Sequence, residues 1–143
     1  MQCLTLHPVQ SYRDLVAWKK SMDLVVEIYS STQGFPRTET YGLISQLRRA
    51  AVSIPNNIAE GHDRLSTGEF KQFLGHARGS LVEVETQILI SQRLGYLEPS
   101  QSANLLERTT EISKILNGLL FLSRDENGKP WEPLILSRLT PSP

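Results

Sequence analysis

Apolar residues recur at intervals of three and four along most of this chain, which is the spacing of amphipathic α-helices. The clearest stretch begins at Ser66, where Ser66 and Glu69 form a capping-box signature. Its four-three positions are occupied by Phe70, Leu74, Ala77, Leu81, Val84, Ile88 and Ser91. This pattern predicts a long helix that stops at Gly95. Gly75 and Gly79 lie inside it, and small residues at that spacing favour close approach of another helix over a ligand site.

A first helix is predicted after Ser11, which is a plausible N-cap with Asp14 three residues later. It should end near Thr32, because Gly34 and Pro36 follow. The main apolar stripe is predicted to contain Leu15, Trp18, Met22, Val25 and Tyr29, and a weaker stripe contains Ala17, Ser21, Leu24 and Ile28. Apolar residues on two faces indicate contacts beyond those of a surface helix on a monomer.

A second helix should start near residues 38–40 and run to about Asp63. One stripe of this helix is apolar, with Leu47, Ala51, Ile54 and Ile58, and another is polar, with Arg49, Ser53, Asn56 and Glu60. Pro55 removes a helical donor and clashes with the carbonyl four residues earlier. The helix is therefore predicted to bend or break there, and the segment to be either a strained joint or part of a site.

A fourth helix is predicted from Pro99, in its first turn, to about Arg124. Its stripe contains Leu105, Ile112, Leu116 and Leu119, widened by Ile115 and Leu122. All three connections are short, so the fold class is all-α, an antiparallel up-down four-helix bundle. The bundle should occupy residues 11–124, between a flexible N-terminus at 1–10 and a proline-rich irregular tail at 125–143.

Composition narrows the class of protein. The chain has 143 residues, enough for one domain, and its 15 basic and 15 acidic residues balance. This balance argues against a generally basic surface, although a local patch stays open. The lone Cys3 excludes an intrachain disulfide framework. Residues 1–8 lack a signal-peptide pattern, and no stretch approaches the roughly 18 apolar residues that span a membrane, so we expect a cytoplasmic protein.

No pattern of catalytic or metal-binding residues is present in the sequence. The histidines His7, His62 and His76 are not paired four residues apart, and no Glu-x-x-His motif occurs. A nucleophile elbow, a phosphate loop and a dinucleotide fingerprint are also missing. We therefore expect no metal, no cofactor and no enzymatic activity.

Polar residues of the second and third helices form a further candidate site. They are Arg48, Arg49, Asn57, Glu60, Arg78 and Glu83. The favoured interpretation is a structural polar network that fixes helix register or subunit contacts and includes at least one buried charge-assisted pair. The alternative is that some of these arginines face a groove or pore and bind phosphate.

Several motifs together resemble one known family. They are Tyr12-Arg13-Asp14-Leu15 with Trp18, Phe35-Pro36, Tyr41-Gly42-Leu43, the specific stretch 46–61, Ala77-Arg78-Gly79-Ser80-Leu81, Glu85-Thr86-Gln87, Leu94-Gly95-Tyr96-Leu97 and Leu116-Asn117-Gly118-Leu119. Over about residues 12–122 the chain resembles the four-helix-bundle family of 23S ribosomal RNA intervening-sequence proteins, which includes the accessory variability determinant proteins of diversity-generating retroelements. His62 stands where this family usually has an aromatic residue.

The resemblance implies a cytoplasmic bacterial bundle without enzymatic activity that assembles as a homopentameric ring. It also implies association with RNA or DNA and, for retroelement members, with a reverse transcriptase. The leading hypothesis is thus a non-catalytic, nucleic-acid-associated module. Its candidate contacts lie off the main apolar stripes and are Lys19, Lys20, Arg64, Lys71 and Arg93. The rival is a structural or protein-interaction adaptor that binds no nucleic acid, and a third class, a metal-dependent or small-molecule enzyme, lacks a supporting constellation.

Overall fold

The structure, a computed structural model, describes residues 11–64 and 66–122 of the chain. These residues form four α-helices and no strand, which confirms the all-helical prediction. The helices are α1 (Val16–Thr32), α2 (Leu43–His62), α3 (Thr67–Arg93) and α4 (Pro99–Leu122). Two 3-10 helices, Tyr12–Asp14 and Arg37–Glu39, precede α1 and α2. The predictions for residues 1–10 and 125–143 lie outside the described residues.

Helix ends follow local backbone chemistry and correct two predicted starts. Ser11 and Asp14 do form a reciprocal capping box, but they cap the first 3-10 helix, because Leu15 is extended and breaks it from α1. The start predicted near residues 38–40 is likewise a 3-10 helix, since non-helical Gly42 separates it from α2. At the far end of α3, Gly95 has φ +79°, a left-handed conformation that favours glycine.

The four helices pack in a ring. The Cα atoms of each helix approach those of its neighbours in sequence to within 8 Å, and those of α1 approach α4 equally closely. Within the described residues no Cα atoms of α1 and α3, or of α2 and α4, come this close. Ion pairs join α1 to α4 through Lys20 with Glu111 and Glu27 with Arg108. With such short connections, this contact pattern fits the predicted up-down topology. The core is one continuous apolar cluster contributed by all four helices.

The buried face of α1 is the weaker of the two predicted stripes. Ala17, Leu24 and Ile28 are fully buried there, together with Ser21, whereas Met22 and Tyr29 are each 41% exposed. Small residues let α1 lie close to its neighbours, so they form the inner face although larger apolar residues were available. The Ser21 hydroxyl donates to the Ala17 carbonyl oxygen at 2.6 Å, and its burial therefore leaves no unpaired donor.

A bend or a break was predicted at Pro55; helix α2 continues through this residue, so the break is wrong. Its inner residues hold it in place, because Ile54 and Ile58 on either side of the proline are fully buried. Farther along, α2 comes very close to α3. A Cβ added at Gly61 would lie 2.9 Å from the Phe73 Cβ. The glycines that the sequence marked for close packing, Gly75 and Gly79, have open space in the described part of the chain.

These glycines give a stability prediction with a matched control. Gly61→Ala should lower the free energy of unfolding by about 1–3 kcal/mol, because the new methyl group overpacks the contact with Phe73. Gly79→Ala should leave stability unchanged or raise it by up to about 1 kcal/mol, since the methyl group enters open space on an exposed helix. Urea denaturation of both variants measures this. Equal stability of the two variants would contradict the close approach of α2 to α3.

Candidate interaction surface on the second helix

The polar stripe of α2 points away from the core. Leu47, Ile54 and Ile58 occupy the buried face, so the residues offset from them by about half a turn face outward. Arg49, Asn56 and Glu60 are exposed in this way. The stripe forms part of an open groove of about 640 Å³, here called the α2 groove. Its lining residues are Tyr29, Ser45, Arg48, Arg49, Val52, Ser53, Asn56, Asn57 and Glu60.

Arg48 fixes the edge of the groove that adjoins α1. Its Nε donates to the Thr32 hydroxyl oxygen at 3.0 Å, and one terminal nitrogen donates to the Tyr29 carbonyl oxygen at 3.4 Å. The guanidinium carbon also lies 4.5 Å from the centroid of the Tyr29 ring, a cation–π geometry. Arg48 is therefore a half-buried tie between α2 and the end of α1, and its guanidinium is already engaged.

Hydroxyl and amide groups fix the opposite edge, next to α3. The side-chain nitrogen of Asn57 donates to the Ser53 carbonyl oxygen at 2.8 Å and to the Ser53 hydroxyl oxygen at 2.9 Å. The hydroxyls of Ser53 and Ser80 share a hydrogen bond at 2.8 Å. Because Ser80 belongs to α3, this chain of hydrogen bonds joins the two helices and orients the Asn57 side chain.

The predicted buried charge pair is not formed within the described part of the chain. Arg49, Glu60 and Glu83 are exposed, and no ion pair joins any members of the predicted network. Arg78 instead donates to the Asn117 side-chain oxygen on α4 at 3.2 Å. The physical reason is that the polar stripe faces outward, where water solvates each charge and pairing brings little stabilisation.

Arg49 stands between two clefts and is the least engaged of the groove's cations. Besides the α2 groove, it lines a smaller cleft of about 400 Å³ between α2 and α3, together with Glu83 and Gln87. The Gln87 side-chain oxygen is buried there without a hydrogen-bond partner in the described structure. In this position the guanidinium of Arg49 is presented to an incoming group rather than used to hold the fold.

The groove is locally basic although the chain is neutral. From Thr40 to Ala59 the sequence contains Arg48 and Arg49 and no aspartate or glutamate. Arg37, in the 3-10 helix before α2, is also exposed. Glu60 closes the far end of the groove, three helical turns beyond Arg49. The zero net charge therefore conceals a segment, residues 40–59, whose charged side chains are Arg48 and Arg49 alone.

The five cations proposed from the sequence are not gathered into one patch on a single chain. Lys20 pairs with Glu111, and Arg64 lies over the Phe73 ring, 4.7 Å from its centroid. Lys19, Arg64 and Lys71 lie toward the end of the bundle where α2 ends and α3 begins. Arg93 is at the other end of α3, about 33 Å from Lys71 along the helix axis.

The described residues show neither a metal site nor a membrane span. No group of three or more histidine, cysteine, aspartate or glutamate side chains is placed to hold an ion in residues 11–64 and 66–122. None of the helices described is long and apolar enough to cross a bilayer.

A sequence model described as 23S rRNA-intervening sequence protein matches residues 13–118, which include the whole of the α2 groove. The chain belongs to this family. The resemblance noted from the sequence motifs is thereby confirmed. A solved structure similar to this family member is that of a Bacteroides thetaiotaomicron VPI-5482 protein of unknown function from the S23 ribosomal protein family. The two chains are 25% identical, with 73% of this chain and 97% of that chain covered and a TM-score of 0.66. No curated protein matches the chain.

Two surface residues of this 23S rRNA-intervening sequence protein were missed from the sequence. Tyr29 was assigned to the core stripe of α1, yet it lines the groove. Tyr41 belongs to the motif Tyr41-Gly42-Leu43, whose sequence does not indicate that the tyrosine is 95% exposed. The sequence does contain an indication for Tyr29: if the stripe with Ala17 and Ser21 is the buried one, Tyr29 lies at the surface.

Removal of the two adjacent arginines of this family member should have very different effects on the free energy of unfolding. Arg48→Ala should lower the free energy of unfolding by about 1–2 kcal/mol, because it removes two hydrogen bonds and a cation–π contact between α1 and α2. Arg49→Ala and Glu60→Ala should change it by no more than about 0.5 kcal/mol, as exposed positions usually do. Thermal or urea melts of the three variants decide this. A large loss of stability in Arg49→Ala would support a buried charge pair instead.

Proposed function

We propose that this 23S rRNA-intervening sequence protein is a non-catalytic, homo-oligomeric protein that associates with RNA or DNA through the α2 groove. The observation that carries the proposal is Arg49, exposed in an open groove with no carboxylate within ion-pair distance among the described residues. A guanidinium in this state is suited to bidentate contact with phosphate. The side chains of Asn56 and Asn57 line the same groove and supply amide groups of the kind that contact base edges.

The geometry favours the groove over the five separate cations as the first contact surface. One ligand strand can reach Arg49, Asn56 and Asn57 together, because they line a single groove. Lys71 and Arg93, by contrast, stand at opposite ends of α3. In this proposal the five cations contribute long-range attraction instead of the primary contacts.

The lining of the groove supports a binding role over a catalytic one. Glu60 is the one carboxylate among its nine lining residues, and none of the nine is a histidine or cysteine. A serine or tyrosine hydroxyl needs an adjacent general base to act as a nucleophile, and the Ser53 hydroxyl is instead hydrogen-bonded to Asn57 and Ser80. The groove offers hydrogen-bond donors, acceptors and one free guanidinium, which serve recognition.

The oligomer of this proposal is the homopentameric ring that the family resemblance implies. It is supported by apolar side chains on the outer faces of two helices, because Val26 on α1 is 65% exposed and Val82 on α3 is 56% exposed. A ring repeats the α2 groove on every protomer. Several weak contacts to one nucleic acid then combine into a higher overall affinity.

The second candidate function, an adaptor that binds protein and no nucleic acid, rests on the outer face of α3. Val82, Leu89 and Ile90 are each more than two-fifths exposed there, next to the uncrowded Gly79. Clustered apolar side chains on a helix surface mark protein-interaction sites. The two functions differ in their response to salt.

Binding of labelled single-stranded RNA at about 50 mM and 200 mM salt tests the leading proposal. Affinity should fall steeply with salt, and Arg49→Gln should weaken binding and reduce the log–log salt slope by about 0.7 for its lost phosphate contact. Lys19→Gln removes an exposed cation at the far end of the bundle and serves as the matched control. Absence of binding by the unmodified chain at the lower salt would favour the adaptor. If Lys19→Gln weakens RNA binding and Arg49→Gln does not, the primary contacts are the separate cations and not the α2 groove.

Light scattering coupled to gel filtration tests the assembly. At micromolar protein concentration the measured particle mass should equal that of five chains. A clean monomer at that concentration would contradict the ring, and with it the contribution of avidity to binding.

A further inference from the structure

Tyr41 is the most exposed large hydrophobic side chain in the described structure. Its side chain is 95% exposed, while the next in rank, Val26, is 65% exposed. It lies on the turn between the 3-10 helix Arg37–Glu39 and the start of α2. A fully exposed aromatic ring forgoes a large burial energy, so its presence on an ordered part of the chain calls for a physical reason.

Hydrogen bonds fix the turn that carries Tyr41. The Thr40 backbone nitrogen donates to the Arg37 carbonyl oxygen at 3.1 Å, and the Gly42 nitrogen donates to the Glu39 carbonyl oxygen at 3.0 Å. One carboxylate oxygen of Glu39 accepts from the Leu43 nitrogen, in the first turn of α2, at 2.9 Å. The residues on both sides of Tyr41 therefore have hydrogen-bonded backbones, which fixes the position of the Tyr41 backbone.

A second set of contacts joins this turn to the loop after α3. The Tyr96 hydroxyl donates to the other Glu39 carboxylate oxygen at 3.4 Å. The Tyr96 ring packs against buried Phe35, with centroids 5.5 Å apart. A Cβ at Gly42 would lie 2.5 Å from the Glu39 carboxylate oxygen that accepts from Leu43, so a side chain at residue 42 would displace the Glu39 carboxylate. The scaffold holds Tyr41 in place but leaves its ring uncovered.

The charges around Tyr41 identify the kind of partner. Arg37 is exposed four residues before it, and no acidic residue occurs from Thr40 to Ala59. Glu39, two residues before Tyr41, is the nearest carboxylate in the sequence, and its two oxygens already accept hydrogen bonds from Leu43 and Tyr96. Ser45, four residues after Tyr41, is already part of the α2 groove that contains Arg49. An exposed aromatic ring beside a basic groove is the arrangement that binds single-stranded nucleic acid, in which bases stack on the ring and cations track the phosphates.

We propose that Tyr41 is a stacking platform for an unpaired base of single-stranded RNA or DNA whose backbone continues into the α2 groove. This inference rests on the proposed nucleic-acid association and adds the class of ligand to it. Bases in a duplex are already stacked and paired, so the platform gives a preference for single strands. Because the turn already holds the backbone at Tyr41, binding there loses little backbone entropy.

Tyr41→Ala and Tyr41→Phe, titrated with a labelled single-stranded RNA and with the same RNA annealed to its complement, test the inference. Tyr41→Ala should weaken binding of the single strand by about five-fold to 150-fold, the range of one lost base–aromatic stack. Its salt slope should equal that of the unmodified chain, because no phosphate contact is removed. Tyr41→Phe keeps the ring and should bind as the unmodified chain does.

Phe121→Ala is the matched control, because it removes a 52% exposed aromatic side chain from α4, whose Cα atoms do not come within 8 Å of those of α2 in the described residues. It should bind the single strand as the unmodified chain does. If the unmodified chain binds RNA and Tyr41→Ala binds equally well, the platform is overturned while the proposed function stands. Absence of binding by the unmodified chain overturns both. A change of particle mass in Tyr41→Ala would make Tyr41 a subunit contact and overturn the platform.

Discussion

The close packing of α2 against its neighbours determines where every other feature of this molecule lies. The inner face of α2 carries Ala50, Ala51 and Gly61 among its buried residues, and at Gly61 the helix comes so near to α3 that a methyl group would overlap Phe73. Such an interface has no room for a solvated polar side chain. Arginines, asparagines and serines of the same helix are consequently directed outward, and a long polar segment becomes a surface.

The outward face is shaped by ties on both sides. Arg48 binds the end of α1 through Thr32 and Tyr29, while the Ser53 and Ser80 hydroxyls join α2 to α3. Arg49 and Asn56 project between these edges from a continuous helix. Because these ties hold the outward face on a continuous helix, a ligand bound there would cost the protein little conformational entropy.

Sequence patterns predicted the helices well where packing follows simple periodicity. The buried residues of α3 are those of its four-three pattern, because a helix packed along one seam repeats that spacing. In α1 the stripe with the largest apolar residues was ranked first, but the tight core selected Ala17 and Ser21. Pro55 was expected to interrupt α2, yet tertiary packing of its apolar neighbours overrides local propensity.

The sequence predicted the polar stripe of α2 but not its exposure. Periodicity placed Arg49, Ser53, Asn56 and Glu60 on one stripe, and the structure has them on one face. Whether that face was buried could not be read from spacing, since charged stripes occur both in buried networks and on surfaces. The exposure of Tyr41 was also inaccessible, because it depends on tertiary contacts of Glu39 with Tyr96, 57 positions apart in the chain.

The central claim is that single-stranded nucleic acid lies along the start and outer face of α2. Photochemical cross-linking of single-stranded RNA to the intact chain, followed by mass spectrometry of the cross-linked peptides, measures this directly. Cross-links are expected within residues 37–60, with Tyr41 among the cross-linked side chains. Cross-links confined to α4 or to the region around Lys19 and Lys71 would contradict it.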